Sequence, residues 1–190
     1  MRYKSYWLNE SQLEPRSYTC GYQGCGHDVG SDKGWNFIDG EGQIIAAIYI
    51  CPICQRPTFF GSPSQVPGKA IGNKIEHLPP EIEQLYEEIR KSTSKEAYTA
   101  AVLAGRKLLM HIAVQKGAKE NLKFVDYVNY IADSHYAPPN SQPWIDRIRQ
   151  KANEANHEIK IMNRNDAIEI IDFLEMLLKF IYEFPGRVNM

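Results

Sequence analysis

The sequence predicts an α+β protein in which a small β-rich N-terminal domain precedes an all-helical bundle of about five helices. Three observations lead to this fold class. All four cysteines fall into two short pairs near the N-terminus, a stretch rich in Gly and Pro ends near residue 75, and helical periodicity dominates from there onward. We therefore place one domain at residues 1–75 and a second at residues 76–190.

Composition limits the classes of function. The chain has 190 residues and 43% apolar residues, which is enough for a hydrophobic core. Its 22 basic and 23 acidic side chains nearly cancel, which excludes a whole-molecule field that would attract nucleic acid or an anionic membrane. The first 15 residues contain no apolar run of the length that a signal peptide or spanning helix needs. We expect a cytoplasmic protein without membrane association.

Within residues 1–75, turn signals separate short stretches that look extended. The clearest strand is residues 43–50, QIIAAIYI. Residues 61–74, GSPSQVPGKAIGNK, have glycines and prolines spread through them and no helical periodicity. We interpret this last segment as a linker.

The cysteine pairs indicate a metal site. Cys20 and Cys25 form a C-x4-C pair, and Cys51 and Cys54 form a C-x2-C pair. In a reducing compartment this spacing favours metal binding over a disulfide framework. The glycines around the first pair and the proline within the second supply the tight turns that let both sulfurs of a pair converge on one ion. His27 lies close enough to the first pair to be an alternative ligand.

The segment between the pairs completes a zinc-ribbon pattern. Residues 35–50, WNFIDGEGQIIAAIYI, fit a hairpin that carries the chain from one cysteine pair to the other. We predict a structural Zn²⁺ held by the four thiolates, because a closed shell leaves no open position for catalytic water. The spacing alone does not separate zinc from iron.

Five helices are predicted beyond the linker. The first begins at Pro79-Pro80 and runs to about Lys91. Thr93 and Glu96 have the form of a capping box that opens a long second helix, which Gly117 can close.

The third helix is expected over about 121–134, and after three prolines the fourth covers 144–159, WIDRIRQKANEANHEI. Asn165 is predicted to cap the fifth helix, which ends before Pro185. This last helix is apolar over a wide stripe, which is typical of the central helix of a bundle.

The fourth helix carries a polar stripe. Arg149, Asn153 and His157 are spaced four residues apart, so they share one face of an uninterrupted helix. A histidine beside an arginine and an amide could perform general acid–base chemistry and hold a phosphate, which makes these three the candidate catalytic residues. The alternative is a solvated face with polar contacts between helices.

The combination of the cysteine pairs, AAVLAGRKLL, IRQKANEANH and an apolar final helix resembles the domain-of-unknown-function 4145 family. The resemblance implies a HEPN-like helical domain, often behind an N-terminal zinc ribbon, in prokaryotic restriction and phage-defence proteins. It implies ligand-binding roles for Arg106 and Arg149 and self-association of the helical domain as a homodimer. Two positions depart from the pattern. Ala152 stands where HEPN nucleases have their catalytic arginine, and Met110 stands where the family commonly has a glutamate.

These departures favour a non-catalytic binding or regulatory module, in which the ribbon docks on RNA, DNA or a defence-system protein. Arg56, Tyr22, Trp35, Phe59 and Phe60 form an aromatic and basic set that could stack bases or could instead pack the ribbon. One alternative is a metal-independent endoribonuclease centred on His157. Another is a nucleotide or anion sensor at Arg106, Arg149 and His157.

Overall fold

The computed structural model describes residues 10–22, 24–62, 64–137, 141–154 and 161–188. It confirms the α+β class, because an antiparallel five-stranded sheet precedes five main helices. The chain divides into two compact units, Met1–Ala70 and Ile71–Met190, whereas the sequence analysis placed the domain boundary near residue 75. None of the helices in the described ranges combines the length and the apolar character needed to cross a membrane.

The first unit is an antiparallel meander in which each strand pairs with the next along the chain. Its strands are β1 Ser11–Thr19, β2 Asp28–Ile38, β3 Ile44–Ile50, β4 Pro57–Gly61 and β5 Ser64–Val66. The predicted strand at 43–50 and the hairpin between the cysteine pairs are confirmed by β3 and by its pairing with β2. The two cysteine pairs lie in the loops that flank this hairpin, one before β2 and one after β3.

One face of the sheet carries a small aromatic core. The Tyr18 ring lies 5.0 Å from the Phe60 ring, and the Tyr49 ring lies 5.7 Å from it, both in edge-on geometry. These residues pack with Leu13, Val29, Ala47 and two of the cysteines, Cys20 and Cys51. With so few buried side chains, the unit lacks the core that a domain of this size normally needs to fold without a disulfide or a metal ion.

The opposite face carries apolar side chains, of which Phe37, Phe59 and Val66 are exposed and the others are half-buried. Direct cross-strand pairing places Trp35, Ile48, Phe59 and Val66 in one row across β2, β3, β4 and β5. The next row contains Phe37 and Ala46, which pair with each other. Directly paired residues project to the same side of a sheet, so these six residues form one continuous surface, which we call the apolar face.

The predicted linker over 61–74 is wrong at its start, where the chain belongs to the sheet. Gly61 ends β4, and Ser64–Val66 form β5 because Val66 extends the apolar row at Phe59. Further along, Ile71 donates its backbone amide to the Thr93 hydroxyl at 2.9 Å, and Ile75 is buried in the helical core. Apolar residues in and next to this Gly- and Pro-rich segment therefore attach it to the sheet before residue 70 and to the helical core after it.

The second unit is helical. Its elements are α1 Pro80–Ser94, α2 Tyr98–Gln115, α3 Phe124–Asp133, α4 Gln142–Glu154 and α5 Arg164–Leu178. A π-helical turn, Lys179–Glu183, and a short helix α6, Phe184–Val188, continue α5 toward the C-terminus. The fifth helix is central as predicted, since its wide apolar stripe packs against α1, α2 and α4 and its Phe173, Leu174, Leu177 and Leu178 are fully buried.

The helix ends confirm some predictions and correct others. Gly117 closes α2 with a left-handed φ of 108°. Thr93 does not cap α2. It lies in the last turn of α1, where its hydroxyl donates to the Arg90 carbonyl oxygen at 2.7 Å. The cap of α5 is Asn163 rather than Asn165, because its side chain accepts from the backbone amides two and three residues on.

Pro185 does not end the last helix as predicted. It lies in α6, where the helix continues directly from the π-helical turn. The adjoining π-helical turn buries Glu183, which accepts the Glu76 amide at 3.1 Å and pairs with Arg187 at 2.8 Å. Widened turns of this kind commonly accommodate a side chain that a regular helix would place elsewhere.

Candidate metal centre

The four cysteines meet at the end of the β2–β3 hairpin. Their Sγ atoms all lie within 4.8 Å of one another, although Cys20 and Cys54 are 34 residues apart in sequence. Cys20 Sγ lies 3.7 Å from Cys54 Sγ, and Cys25 Sγ lies 3.7 Å from Cys51 Sγ. All four thiols are free of disulfides.

These distances suit a tetrahedral ion. Four sulfurs at the Zn–S bond length of about 2.3 Å stand about 3.8 Å apart along each edge of the tetrahedron. The Cys20–Cys54 and Cys25–Cys51 contacts match that edge, and each of them joins one cysteine of the first pair to one of the second. A single metal ion would therefore link both loops. The residues present fit a metal held by four thiolates.

Both loops are shaped by backbone hydrogen bonds. In the first, the Cys20 amide donates to the His27 carbonyl oxygen at 2.9 Å and the Cys25 amide donates to Tyr22 at 3.0 Å. Gly24 and Gly26 adopt left-handed φ values of 79° and 65°, which glycine adopts without strain. This geometry turns the chain back within eight residues and brings both thiols to the same side.

The second loop is held in the same way. The Cys51 amide donates to the Arg56 carbonyl oxygen at 3.0 Å, and the Gln55 amide donates to the Cys51 carbonyl oxygen at 2.9 Å. Gln55 adopts a left-handed φ of 59°. The C-x2-C spacing therefore closes one tight turn with Cys51 and Cys54 at its two ends.

Backbone amides also point at the sulfurs. Tyr22 donates its amide to Cys20, Arg56 donates to Cys54, and the amides of Cys54 and Ile53 both donate to Cys51. Hydrogen bonds of this kind stabilise the ionised thiolate over the neutral thiol. The loops are thus preorganised for thiolates, the form of cysteine that binds metal.

Burial and these hydrogen bonds act in opposite directions on ionisation. Burial raises the pKa of Cys20 and Cys54 above the ordinary thiol value, against the opposing amide hydrogen bonds. At Cys51 burial also raises the pKa, but the amides of Cys54 and Ile53 and the neighbouring thiols outweigh it, so the pKa is lowered. Four adjacent thiols cannot all ionise by themselves, and a divalent cation removes the repulsion that prevents it.

Two buried hydroxyls that the sequence analysis did not single out belong to this unit. Tyr18 packs with Cys20 and Cys51 in the aromatic core, Thr58 is fully buried in β4, and neither hydroxyl has a clear hydrogen-bond partner among the described residues. Burial raises the pKa of Tyr18 to about 12, the Thr58 hydroxyl opposes this rise, and negative charge on Cys51, Cys20 and Cys54 adds to it. The only sequence signal for Tyr18 is its position two residues before Cys20.

His27 is exposed and lies outside the four-sulfur cluster. Within the described residues, the group of cysteine, histidine and acidic side chains close enough to share a metal contains the four cysteines alone.

In the helical unit, Arg106 lies on α2 with its guanidinium 4.5 Å from the centre of the Phe124 ring. It lines a small cavity of about 30 Å³ together with Asp166, Glu169 and apolar side chains. Burial lowers the pKa of Arg106. The cavity has the volume of about one water molecule, and two carboxylates share it with the arginine.

The polar stripe on α4 is described only in part. Arg149 donates to Asp146 Oδ1 at 2.8 Å, and its Nε is buried without a hydrogen-bond partner within the described ranges. The backbone of Asn153 belongs to α4, but its side chain lies outside the described part of the molecule, and so does the whole of His157. The joint role of these three residues stays a prediction.

Comparison with known proteins gave one match. The family model for a domain of unknown function, DUF4145, matches residues 87–190, which span α2 to α6 and the second half of α1. Searches of curated proteins and of solved structures found no significant match. The family match covers more than half of the 190 residues. This chain therefore belongs to the DUF4145 family.

Proposed function

We propose that this protein is a zinc-stabilised binding or regulatory module. In it, a structural Zn²⁺ on Cys20, Cys25, Cys51 and Cys54 holds the sheet together, and the apolar face of that sheet docks on a protein partner. The observation that carries the proposal is that all four Sγ atoms lie within 4.8 Å of one another, with two contacts of 3.7 Å that cross between the pairs. Prokaryotic nucleic-acid metabolism or phage defence is the setting that the family resemblance suggests.

The donor set supports a structural ion. Four thiolates complete the preferred coordination shell of zinc, and catalytic zinc sites usually keep one position for water. Zinc has no redox chemistry, and when bound it would link the two loops by charge and coordination alone. Soft thiolate donors also suit iron, and the metal analysis described in the Discussion separates the two.

The apolar face supports a docking role. Phe37 is 63% exposed, Val66 is 51% exposed and Phe59 is 41% exposed, and direct strand pairing connects them to Trp35 and Ile48. Contiguous exposed apolar patches on soluble proteins commonly mark interaction sites, since leaving them in water is unfavourable. Aromatic side chains also dominate the energetically important residues of protein interfaces.

The charge pattern favours a protein partner over nucleic acid. The two rows of the apolar face contain no charged residue, whereas nucleic-acid binding depends on Lys and Arg contacts to phosphates. On the opposite face, Arg16 covers the Phe60 ring at 4.1 Å, and Phe60 is only 7% exposed, so it cannot stack a base. Arg56 similarly lies 5.3 Å from the Tyr22 ring.

The alternatives have less support. An endoribonuclease would need His157 and Asn153 in contact with a substrate, and Ala152 removes the arginine that HEPN nucleases use. An anion sensor at Arg106 would have to place a negative ligand beside the carboxylates of Asp166 and Glu169. We therefore favour a non-enzymatic role, with self-association of the helical unit as a homodimer forming part of the proposal.

Site-specific photo-crosslinking tests the docking role. A p-benzoylphenylalanine in place of Phe37 reports on the apolar face, and the same group in place of Asn36 is a matched control, because neighbouring strand residues project to opposite faces and both positions are exposed. In cells, we expect position 37 to give one protein adduct several times more strongly than position 36.

The captured protein is then purified and tested with the unmodified chain. We expect Phe59→Glu to weaken its binding at least tenfold, since a buried charge at an apolar interface is strongly unfavourable. Equal adducts at both positions, adducts to nucleic acid, or adducts only to a second copy of this chain would contradict the proposed partner.

A further inference from the structure

A cavity of about 630 Å³, which we call the Arg16 cavity, lies within the first unit. Both edge strands of the sheet line it, through Glu14 and Arg16 of β1 and through Ser64 and Gln65 of β5. Gln65 also connects the two edges, since its Nε2 donates to the Thr19 carbonyl oxygen at 2.8 Å. The sheet therefore curves until its edges border one concavity. Its volume is within the range of about 300–1,000 Å³ that is typical of ligand sites.

The aromatic core forms the floor of the Arg16 cavity. Ala47, Tyr49 and Phe60 line it and are themselves buried, and Ile45 lines it with 49% of its surface exposed. The Tyr49 hydroxyl donates to the Glu14 carbonyl oxygen at 2.9 Å, which fixes strand β1 relative to this floor. The cavity thus offers an apolar and aromatic surface to the hydrocarbon part of a ligand.

Arg16 supplies a positive charge above this floor. Its guanidinium carbon lies 4.1 Å from the centre of the Phe60 ring, and no hydrogen bond or ion pair joins it to another described residue. An arginine that stacks on a ring presents the N–H groups at the edge of its plane to a ligand. Such a planar fork binds a carboxylate through two parallel hydrogen bonds. Because the ring already restrains the side chain, a ligand would order it at a smaller entropic cost.

Glu14 restricts the charge of the ligand. Among the described residues that line the cavity, it and Arg16 are the charged ones, and the other polar side chains are amides and hydroxyls. A carboxylate two positions from Arg16 on the same strand disfavours a ligand with several negative charges, such as a nucleotide. The lining therefore matches one negative group rather than a phosphate chain.

We propose that the Arg16 cavity binds a ligand with a single carboxylate attached to an apolar or aromatic body. The carboxylate pairs with the guanidinium of Arg16, and the body packs against Ala47 and Tyr49. Small organic acids have this chemistry, and so does the C-terminus of a peptide with an apolar last residue. The site lies on the side of the sheet opposite to the apolar face, so it is separate from the proposed docking surface.

Nuclear magnetic resonance of the zinc-loaded full chain tests the site with N-acetylphenylalanine as the probe. We expect saturable shifts at the Arg16 side chain and at the amides of Ala47 and Tyr49, with a dissociation constant on the order of 1 mM for a molecule of this size. N-acetylphenylalaninamide keeps the ring and lacks the charge, so it should bind about tenfold more weakly or worse. Adenosine monophosphate should bind more weakly than N-acetylphenylalanine as well.

Two arginine variants assign the charge. Arg16→Met keeps an apolar stem over Phe60 and removes the fork, and we expect it to weaken binding of N-acetylphenylalanine about tenfold or more. Arg56→Met is the matched control, because Arg56 also lies against a ring, 5.3 Å from the centre of Tyr22, but does not line the cavity. Both arginines are exposed, so both variants should keep the zinc content of the unmodified chain.

A short peptide distinguishes the two sources of the carboxylate. If N-acetyl-Ala-Ala-Phe with a free C-terminus binds more tightly than N-acetylphenylalanine, the ligand is a chain terminus, and equal or weaker binding indicates a small acid. Equal affinities for the acid and its amide, for the unmodified chain and Arg16→Met, or for N-acetylphenylalanine and adenosine monophosphate would overturn the carboxylate site. Absence of any saturable shift would do the same, and the proposed function would stand in each case.

Discussion

Replacing Cys51 with serine is expected to abolish metal binding and to unfold the sheet of the first unit. Cys51 is fully buried, and its sulfur lies 3.7 Å from the Cys25 sulfur of the other loop, so its loss leaves at most three thiolates around the site. Structural zinc sites contribute on the order of 10 kcal/mol to folding in small domains. The small core of this unit cannot replace that contribution.

Metal content and limited proteolysis check this result. In Cys51→Ser, zinc should fall to background, and protease should cleave within residues 10–70 while the helical unit, which has its own core, resists. Ile53→Ser is the matched control, since it introduces the same residue in the same turn at a side chain that is 55% exposed. A protease-resistant sheet in metal-free Cys51→Ser would show that the metal is dispensable for the fold.

Gly34→Ala is expected to have the second largest effect. A Cβ atom at this position would collide with the Ile48 carbonyl oxygen in the paired strand β3. Backbone must therefore move, and the pairing of β2 with β3 connects the two cysteine loops. We expect a loss of more than about 4 kcal/mol from the free energy of unfolding of the first unit.

Gly30→Ala in the same strand is the control, because a Cβ there meets nothing within 4 Å. We expect it to change the free energy of unfolding by less than about 1 kcal/mol. Urea titration of the zinc-loaded proteins, with zinc release as the signal, compares the two variants. Similar urea midpoints for both would show that strand β2 can shift without cost and that the close approach at Gly34 does not constrain the sheet.

The main features of the fold follow from local chemistry in the sequence. The cysteine pairs specify which loops must meet, because a tetrahedral ion accepts few other spacings. Gly117 predicts the end of α2, since glycine alone adopts its φ of 108° without strain. The wide apolar stripe of the last helix predicts its central position for a similarly local reason.

Other features depend on packing that the sequence does not display. Pro15 argues against a strand when only the sequence is read. Strand β1 tolerates this proline because β1 is an edge strand whose register shifts between Gln12 and Arg16. Strand β5 is only three residues long, and its place is determined by Val66 joining the row at Phe59. Thr93 has the right spacing for a cap, but its burial against the segment at Ile71 keeps it within α1.

The site shows the same division. The four candidate ligands are evident from spacing, whereas the aromatic core of Tyr18, Tyr49 and Phe60 around two of them forms only through the pairing of β1 with β2 and of β3 with β4. The apolar face likewise cannot be predicted without the strand register, because alternation within one strand does not show that Trp35, Ile48 and Phe59 form a single row.

The central claim is that four thiolates hold one zinc ion, and metal analysis of the unmodified protein tests it most directly. The protein is produced in medium containing both zinc and iron, and native mass spectrometry is combined with elemental analysis. The account predicts one zinc per chain, released only when a strong chelator competes for it. A chain without metal, or one that binds iron in preference to zinc, would contradict it.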